Sequence, residues 1–521
     1  MKIIFTICRV IVGSLFIASG LIKVNDVIGF GYKLEEYFGE RALGFPGLME
    51  YVIPIAIFIV IGEVLLGVAL LLGAWPKLTT TLVLAMTVFF TWLTFYTAHC
   101  EPTSLAIFQE ASGKYVIESP DCVLTCGCFG DAIKLKPIES FYKDVALLIF
   151  IIPIFFAAWA GRIKLNSYKE DVIIGIFSLL VVAGFSYGML HWMFPVLFTM
   201  ISFGVGVILK KITNEKQWAM ALGVLAICCI LQYWTLVHLP LKDYRAYAIG
   251  NDLKLKMSTS EELIEKAAFA NFVREKITPL TADSIDFEGN LSDPKTMENV
   301  QKYLMQSGAS NASITPILAE LTKNYEVWKK EIDDLQPPKF VNMFTLKNNV
   351  SGEMKEVDSD SYLKQKMWED KSWEILKDKT YSKQISTGYE PAIVDFLPAN
   401  QDGEEMIDSL LNYDRVFLLV SYNLDEFNTD NIEAINAFAS KAQQNGDRFF
   451  GITSASGEVL KEFRFQHQTP FDFLSNDGTE LKIVIRSNPG LVCIEKGVVV
   501  NMWANADIPD YDKVKASSFK P

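Results

Sequence analysis

Long apolar runs alternate with short polar connectors over the first 240 residues, and the pattern then changes to amphipathic and alternating segments. Apolar stretches of membrane-spanning length occur at roughly 3–22, 50–74, 78–98, 143–160, 171–190, 192–209 and 217–239. They predict about seven transmembrane helices, an α-helical membrane bundle with its two ends on opposite sides. Lys2, Lys77, Arg162, Lys164, Lys169, Lys210, Lys211 and Lys216 fall at one set of helix ends. The positive-inside rule makes those ends cytoplasmic. The loop at 99–140 and everything beyond residue 240 are then expected outside the cytoplasm, which for a bundle held in an inner membrane is the periplasm. Lys2 precedes the first apolar run as in a signal peptide, but no small-residue cleavage pattern follows, so this span reads as retained.

Beyond the last span, the string HLPLKDYRAYAIGND (238–252) marks an exit from the membrane. Ser258 with Glu261 reads as a capping box, Asp293 with Pro294 opens a second amphipathic stretch, and Ile314 to Leu335 forms a third. Pro337 and Pro338 stop this helical region, and Phe340 to Val357 alternates around Asn348, Asn349 and Gly352 as a hairpin does. From about 391 onward come a strand at Arg415–Ser421, a helix near Asn431–Gln444 and a strand at Phe449–Thr453, a β-α-β unit. A loop with Pro489, a strand, a turn at Glu495–Gly497 and a partner strand follow. The expected divisions are a bundle at 1–160 with a cysteine loop at 99–140, further transmembrane helices at 161–240, a helical and hairpin region at 241–390, and an α/β domain at 391–521.

The chain has 521 residues, half of them hydrophobic, and a formal net charge of −13 that belongs mostly to the second half. An acidic balance with no basic stripe argues against nucleic-acid binding, which depends on displacing counterions. The partners to expect are the lipid bilayer and an envelope protein.

Charges inside the bilayer are costly, so Arg9 in the first span and Glu63 in the middle of the second require partners. Their opposite charges make them candidates to pair with each other, and a structural pair is favoured over a proton or ligand site. Of eight cysteines, Cys8, Cys228 and Cys229 lie in spans and Cys493 in a strand, where a thiol is ordinarily a packing group. Cys100, Cys122, Cys126 and Cys128 share the loop placed on the oxidising side, so two disulfides with three possible connectivities are expected. Cys126 and Cys128 bracket one glycine, which makes them the candidate redox pair if the loop is catalytic, because strained bridges are the reducible ones. Zinc or copper on these thiolates with His99 ranks last, since the spacing matches no standard zinc pattern, and no metal site is assigned.

Arg9 to Gly13, Ser19–Gly20, Lys23, Asp26, Glu63, and CGCFGDAIKL (126–135) followed by SFYKD together resemble the DoxX and MauE-like membrane family over roughly residues 1–160. The resemblance implies a four-helix core and redox work near the membrane, with quinone or with thiols of other proteins; no cofactor is certain, and quinone is the one it brings into view. The order of elements after 391, the string from Asp395 and Phe396 to Asp402 and Gly403, and Pro489 resemble the TlpA-like branch of the thioredoxin fold. Pro489 then corresponds to that family's cis-proline. The first β-α turn reads SYNLDEF (Ser421–Phe427) and carries no cysteine, so this domain should not exchange dithiols by itself. The HLP exit, GYEPAIVDF (388–396) and RSNPG also look like DoxX-type envelope proteins of the Bacteroidota.

Three functions follow. The first is a binding or assembly module, in which the bundle anchors a cysteine-free thioredoxin-like domain that engages an envelope partner or client. The alternative is a membrane thiol-disulfide oxidoreductase in which Cys126 and Cys128 pass electrons to a quinone admitted by the helices. A transporter component, for which Arg9 and Glu63 are the only hints, comes third.

Overall fold

The computed structural model describes residues 2–40, 42–100, 105–109, 114–118, 123, 127, 129–133, 135–277, 300, 302, 304, 310–376, 379–386 and 388–516. Among the described residues, seven helices are long and apolar enough to cross a membrane. They contain α1 (Lys2–Asn25), α3 (Val52–Leu72), α4 (Pro76–His99), α5 (Pro137–Trp159), α6 (Tyr168–Phe185), α7 (Phe194–Ile212) and α8 (Gln217–Val237). A shorter amphipathic helix, α2 (Val27–Phe38), lies between the first two spans and packs Val27, Phe30 and Leu34 against Val52 and Ala56. Capping explains several boundaries. Ser167 and Glu170 form a capping box at the start of α6, and α4, α5 and α7 each carry a proline in the first turn, where its missing N–H costs no hydrogen bond.

The axis of the bundle is the antiparallel contact of α1 with α3. A Cβ placed on Gly67 would lie 2.8 Å from the Gly13 carbonyl oxygen and 3.1 Å from the Ile17 nitrogen. Two backbones meet here with no side chain between them. In lipid, where apolar surface is not driven out of solvent, such small-residue contacts supply much of helix association.

Thr103–Glu118 and Asp252–Val394 form one compact unit; Met1–Pro102, Ser119–Asn251 and Asp395–Pro521 form the other. In the former, β1 (Leu105–Gln109) pairs antiparallel with β2 (Lys114–Glu118). The helix Asn311–Leu335 buries Trp328 against Phe272, ring centroids 4.7 Å apart. The capping box in this region is Thr259 with Glu262, one residue later than the expected Ser258 with Glu261. Ser258 instead closes the preceding turn, its hydroxyl donating to the Lys254 carbonyl at 2.8 Å. The stretch expected to open at Asp293 lies outside the described residues. β3 (Lys339–Asn348) and β4 (Met354–Asp358) form the expected hairpin, and β5 (Trp373–Ile375) and β6 (Tyr381–Ser386) also pair antiparallel with β3.

The C-terminal domain of the other unit is a five-stranded mixed sheet in the order β11-β10-β7-β8-β9. β7 (Val416–Ser421), β8 (Arg448–Thr453) and β9 (Asp472–Ser475) run parallel, and β10 (Gly490–Glu495) and β11 (Val498–Ala504) are antiparallel. All six residues of β7 are buried, as a central strand covered on both faces requires. Cys493 lies opposite Phe417 in the β10–β7 register and is free; burial pushes its thiol up, so it is a core group rather than a nucleophile. The Asn488–Pro489 peptide bond is cis.

Replacing Gly67 with leucine should force α1 and α3 apart and destabilise the bundle by about 1–3 kcal/mol, the ordinary cost of overpacking. Thermal unfolding in detergent, compared with the lipid-facing control Phe58→Leu, measures it.

Candidate functional site

Among the described residues, charge is buried in the bundle near both ends of α1. At one end, Arg9 donates from Nε to the Leu70 carbonyl at 3.0 Å, and from Nη2 to the Leu71 carbonyl and Asn166 Oδ1, both at 2.9 Å. A cation thus sits on the last carbonyls of α3, where the helix dipole is negative. Asn166 Nδ2 donates to Asp171 Oδ1 at 3.0 Å, and Lys210 Nζ to Asp171 Oδ2 at 2.7 Å. Lys210, expected as a loop charge, is fully buried in this network.

Arg9 and Glu63 therefore do not pair. The antiparallel register places Gly20 opposite Glu63 and Val64, and Gly13 opposite Gly67 and Leu71, so Arg9 falls at the far end of α3. The partner of Glu63 is Lys23, Nζ to Oε1 2.6 Å. Ser19 bridges the two, accepting from Lys23 Nζ at 2.9 Å and donating to Glu63 Oε2 at 3.2 Å. The ammonium also lies 5.6 Å from the ring centre of Phe30 and 5.2 Å from that of Phe90, so four neighbours together replace its water shell.

This pair lines a cavity of about 390 Å³ whose walls include Phe16, Phe90, Phe129 and Phe150, with Thr87 as a further polar group. A second ion pair, Lys143 with Asp144 at 2.8 Å, lines the same space, and Thr94 Oγ1 donates to Asp144 Oδ2 at 3.1 Å. An apolar, aromatic-walled cavity with a few convergent donors and acceptors suits a ring-bearing amphiphile with oxygen substituents.

Beside this end of the bundle, the C-terminal domain meets α2 through charge. Arg486 Nε donates to Asp26 Oδ1 at 3.0 Å and Oδ2 at 3.1 Å, its Nη2 lies 3.4 Å from Asp131 Oδ2, and its guanidinium stands 5.4 Å over the Tyr32 ring. Lys482 pairs with Glu35 at 2.7 Å and lies 4.7 Å over the same ring, and Tyr32 meets Tyr422 edge to face at 6.2 Å. Farther along, His238 contacts Asp507 at 2.7 Å, and Gly250 donates to the Val499 carbonyl at 2.7 Å. Burial alone pushes the Asp26 carboxyl up. The Arg486 guanidinium, with Arg245 and the Gly29 amide, more than offsets this and holds it below the usual carboxylate range.

Of the cysteines singled out from the sequence, Cys100 follows the last residue of α4 and is disulfide-bonded. Cys122, Cys126 and Cys128 lie outside the described residues. Phe129, the residue after Cys128, is buried in the cavity wall. No group of three metal-ligating side chains occurs among the described residues. Sequence reading missed the roles of Lys23, Asp144 and Arg486. Lys23 and Asp144 stand where an apolar run gives out, and Arg486 lies in a loop, so only α1 continuing to Asn25 and α5 beginning at Pro137 bring the first two into the bundle.

These features define a multi-pass membrane protein with a largely apolar cavity, carrying a few charged groups, in its helical bundle. Residues 1–102 match the family described as Methylamine utilisation protein MauE. Comparison with curated proteins and with solved structures finds no match.

Replacing Glu63 with glutamine leaves the buried Lys23 ammonium without its counter-charge and should cost about 3–5 kcal/mol, whereas the double change Lys23→Met with Glu63→Leu should cost much less. Thermal unfolding of the three variants distinguishes them. Because the folded-state pKa of Asp26 is depressed, its contribution to docking is complete above the ordinary aspartate range and is lost as pH falls through the lowered value. Hydrogen exchange across residues 27–38 should accordingly rise as pH falls through that lowered value, and Asp26→Asn should remove the acid dependence.

Proposed function

We propose that this protein is a membrane accessory for thiol-disulfide chemistry, in which the Cys126-Gly127-Cys128 loop exchanges electrons with a quinone-class carrier held in the bundle cavity. The observation that carries the reading is the cavity itself. It is aromatic-walled, it has the Lys23–Ser19–Glu63 cluster in its lining, and Phe129, one residue beyond Cys128, forms part of its wall. Oxidation of two thiols to a disulfide releases two electrons and two protons, which together convert a quinone to its hydroquinone. Lys23 would donate a hydrogen bond to a quinone oxygen, with Glu63 beside it as the counter-charge that holds the ammonium in place. The similarity of residues 1–102 to a family named for methylamine utilisation supports an accessory role in the membrane.

A binding or assembly role for the C-terminal domain is the second reading, favoured by the Ser421–Phe427 turn, which has no thiol. That domain would lie in the periplasm. Lys77, Arg162, Lys164, Lys211 and Lys216 all fall at the helix ends opposite the end of α1 that meets the C-terminal domain, which supports this orientation.

The redox reading is tested on the full chain in lipid nanodiscs with a short-chain ubiquinone analogue. Binding should weaken at least tenfold in Phe90→Ala and in Thr87→Val, and differential alkylation in cells should catch Cys126 or Cys128 partly reduced. A loop that stays fully oxidised in growing cells removes the redox reading and leaves the binding module. Orientation is checked by a membrane-impermeant maleimide, which should reach a cysteine placed at Asp425 and not one placed at Lys216.

A further inference from the structure

Arg486 belongs to the C-terminal domain, yet its two carboxylate partners belong to the bundle. Asp26 follows directly on α1, three residues beyond Lys23, and Asp131 lies in the turn Gly130–Ala132, two residues beyond Phe129. One guanidinium therefore joins three pieces: the domain, the end of the helix that supplies the cavity's ammonium, and the segment that supplies its Phe129 wall. The side chain of Arg486 is 5% exposed and that of Asp26 20%, so solvent screens their attraction weakly. A second contact holds the same segment from α2. A side chain at Gly127 would meet Lys33 Cγ at 3.1 Å, so the Gly127 backbone lies directly on α2, one residue from the Tyr32 ring beneath Arg486 and Lys482. Arg486 Nη1 also donates to the Lys482 carbonyl of its own domain, which holds the direction of the guanidinium.

We propose that Arg486 is the positioning residue of the cavity site, setting the place of the turn 129–131 and of the Lys23 end of α1 from the C-terminal domain. The domain then works in cis, on the bundle of its own chain. This inference rests on the cavity being the working site, as the proposed function has it, but its structural claim is measurable without any redox chemistry. Arg486 touches neither ligand nor thiol in this assignment; it acts through Asp26 and Asp131. A lysine at 486 keeps the charge but loses the fork that spans two carboxylates, and should restore only part of the effect.

The test is hydrogen–deuterium exchange of the full chain in nanodiscs, read at residues 27–38 and 129–133, with binding of the short-chain ubiquinone analogue measured in parallel. Arg486→Gln should speed exchange at least tenfold in both segments and weaken analogue binding about tenfold, with the exchange of α3 and α4 unchanged. Arg486→Lys should fall between. Asp131→Asn, at a partly exposed side chain that the fold tolerates, should speed exchange at 129–133 and leave 27–38 as it was. Unchanged exchange at 129–133 in both Arg486→Gln and Asp131→Asn overturns the proposal, and if Arg486→Gln does not fold, Asp131→Asn alone decides it. Altered exchange with no analogue binding even in the unaltered protein retains the positioning role and removes the quinone reading.

Discussion

A charge inside an apolar helical bundle has no water to fall back on, and in this protein the pairing of Lys23 with Glu63 organises what surrounds it. Ser19 can bridge the pair only because Gly20 faces Glu63 and Val64 across the interface, and Gly67 against Gly13 keeps the two backbones close enough for that register. The same register carries Arg9 past Glu63 to the exposed carbonyls at the end of α3. Arg9 and Lys23 are thereby each matched by an acceptor set of their own, and moving α1 by one turn would orphan both.

The cavity is a consequence of that arrangement. Where α1 and α3 are in backbone contact the helices leave no space, and where aromatic side chains of α1, α4 and α5 diverge around Lys23 they do. The second ion pair, Lys143 with Asp144, gives the cavity polar groups from a different helix, so a ligand would meet donors and acceptors from more than one direction. Such a site can orient a ring through its substituents while apolar walls supply most of the contact area.

At the Asn25 end of α1 the logic changes from enclosed pairs to a charged seam. Arg486 and Lys482 of the C-terminal domain face Asp26, Glu35 and Asp131 of the bundle, and the Tyr32 ring lies under both cations. Planar guanidinium geometry lets one residue serve two carboxylates and an aromatic face together. The Ser421–Phe427 turn, empty of thiols, also lies at this seam through Tyr422.

Much of the architecture was legible along the chain. The seven spans, the β3–β4 hairpin and the β-α-β unit of the C-terminal sheet follow from periodicity and turn residues, because those signals act over a few residues and are stated locally. Arg9 and Glu63 were legible as buried charges for the same reason: a charge in an apolar run stands out wherever its partner lies. Their partners were not. Which cation meets Glu63 depends on the register of two helices separated by a long connection, and Lys23 and Asp144 stand where the apolar runs give out, so neither reads as buried. The Ser258 capping box slipped by one residue because the preceding turn, not the motif, decided where extended backbone begins. Arg486 in a loop carries no signal at all of Asp26, 460 residues away. The sequence by itself determined which segments enter the membrane and that their charges must be neutralised; only tertiary structure decided which charges do so, since complementarity across helices and domains is a property of distance in space, which local pattern does not encode.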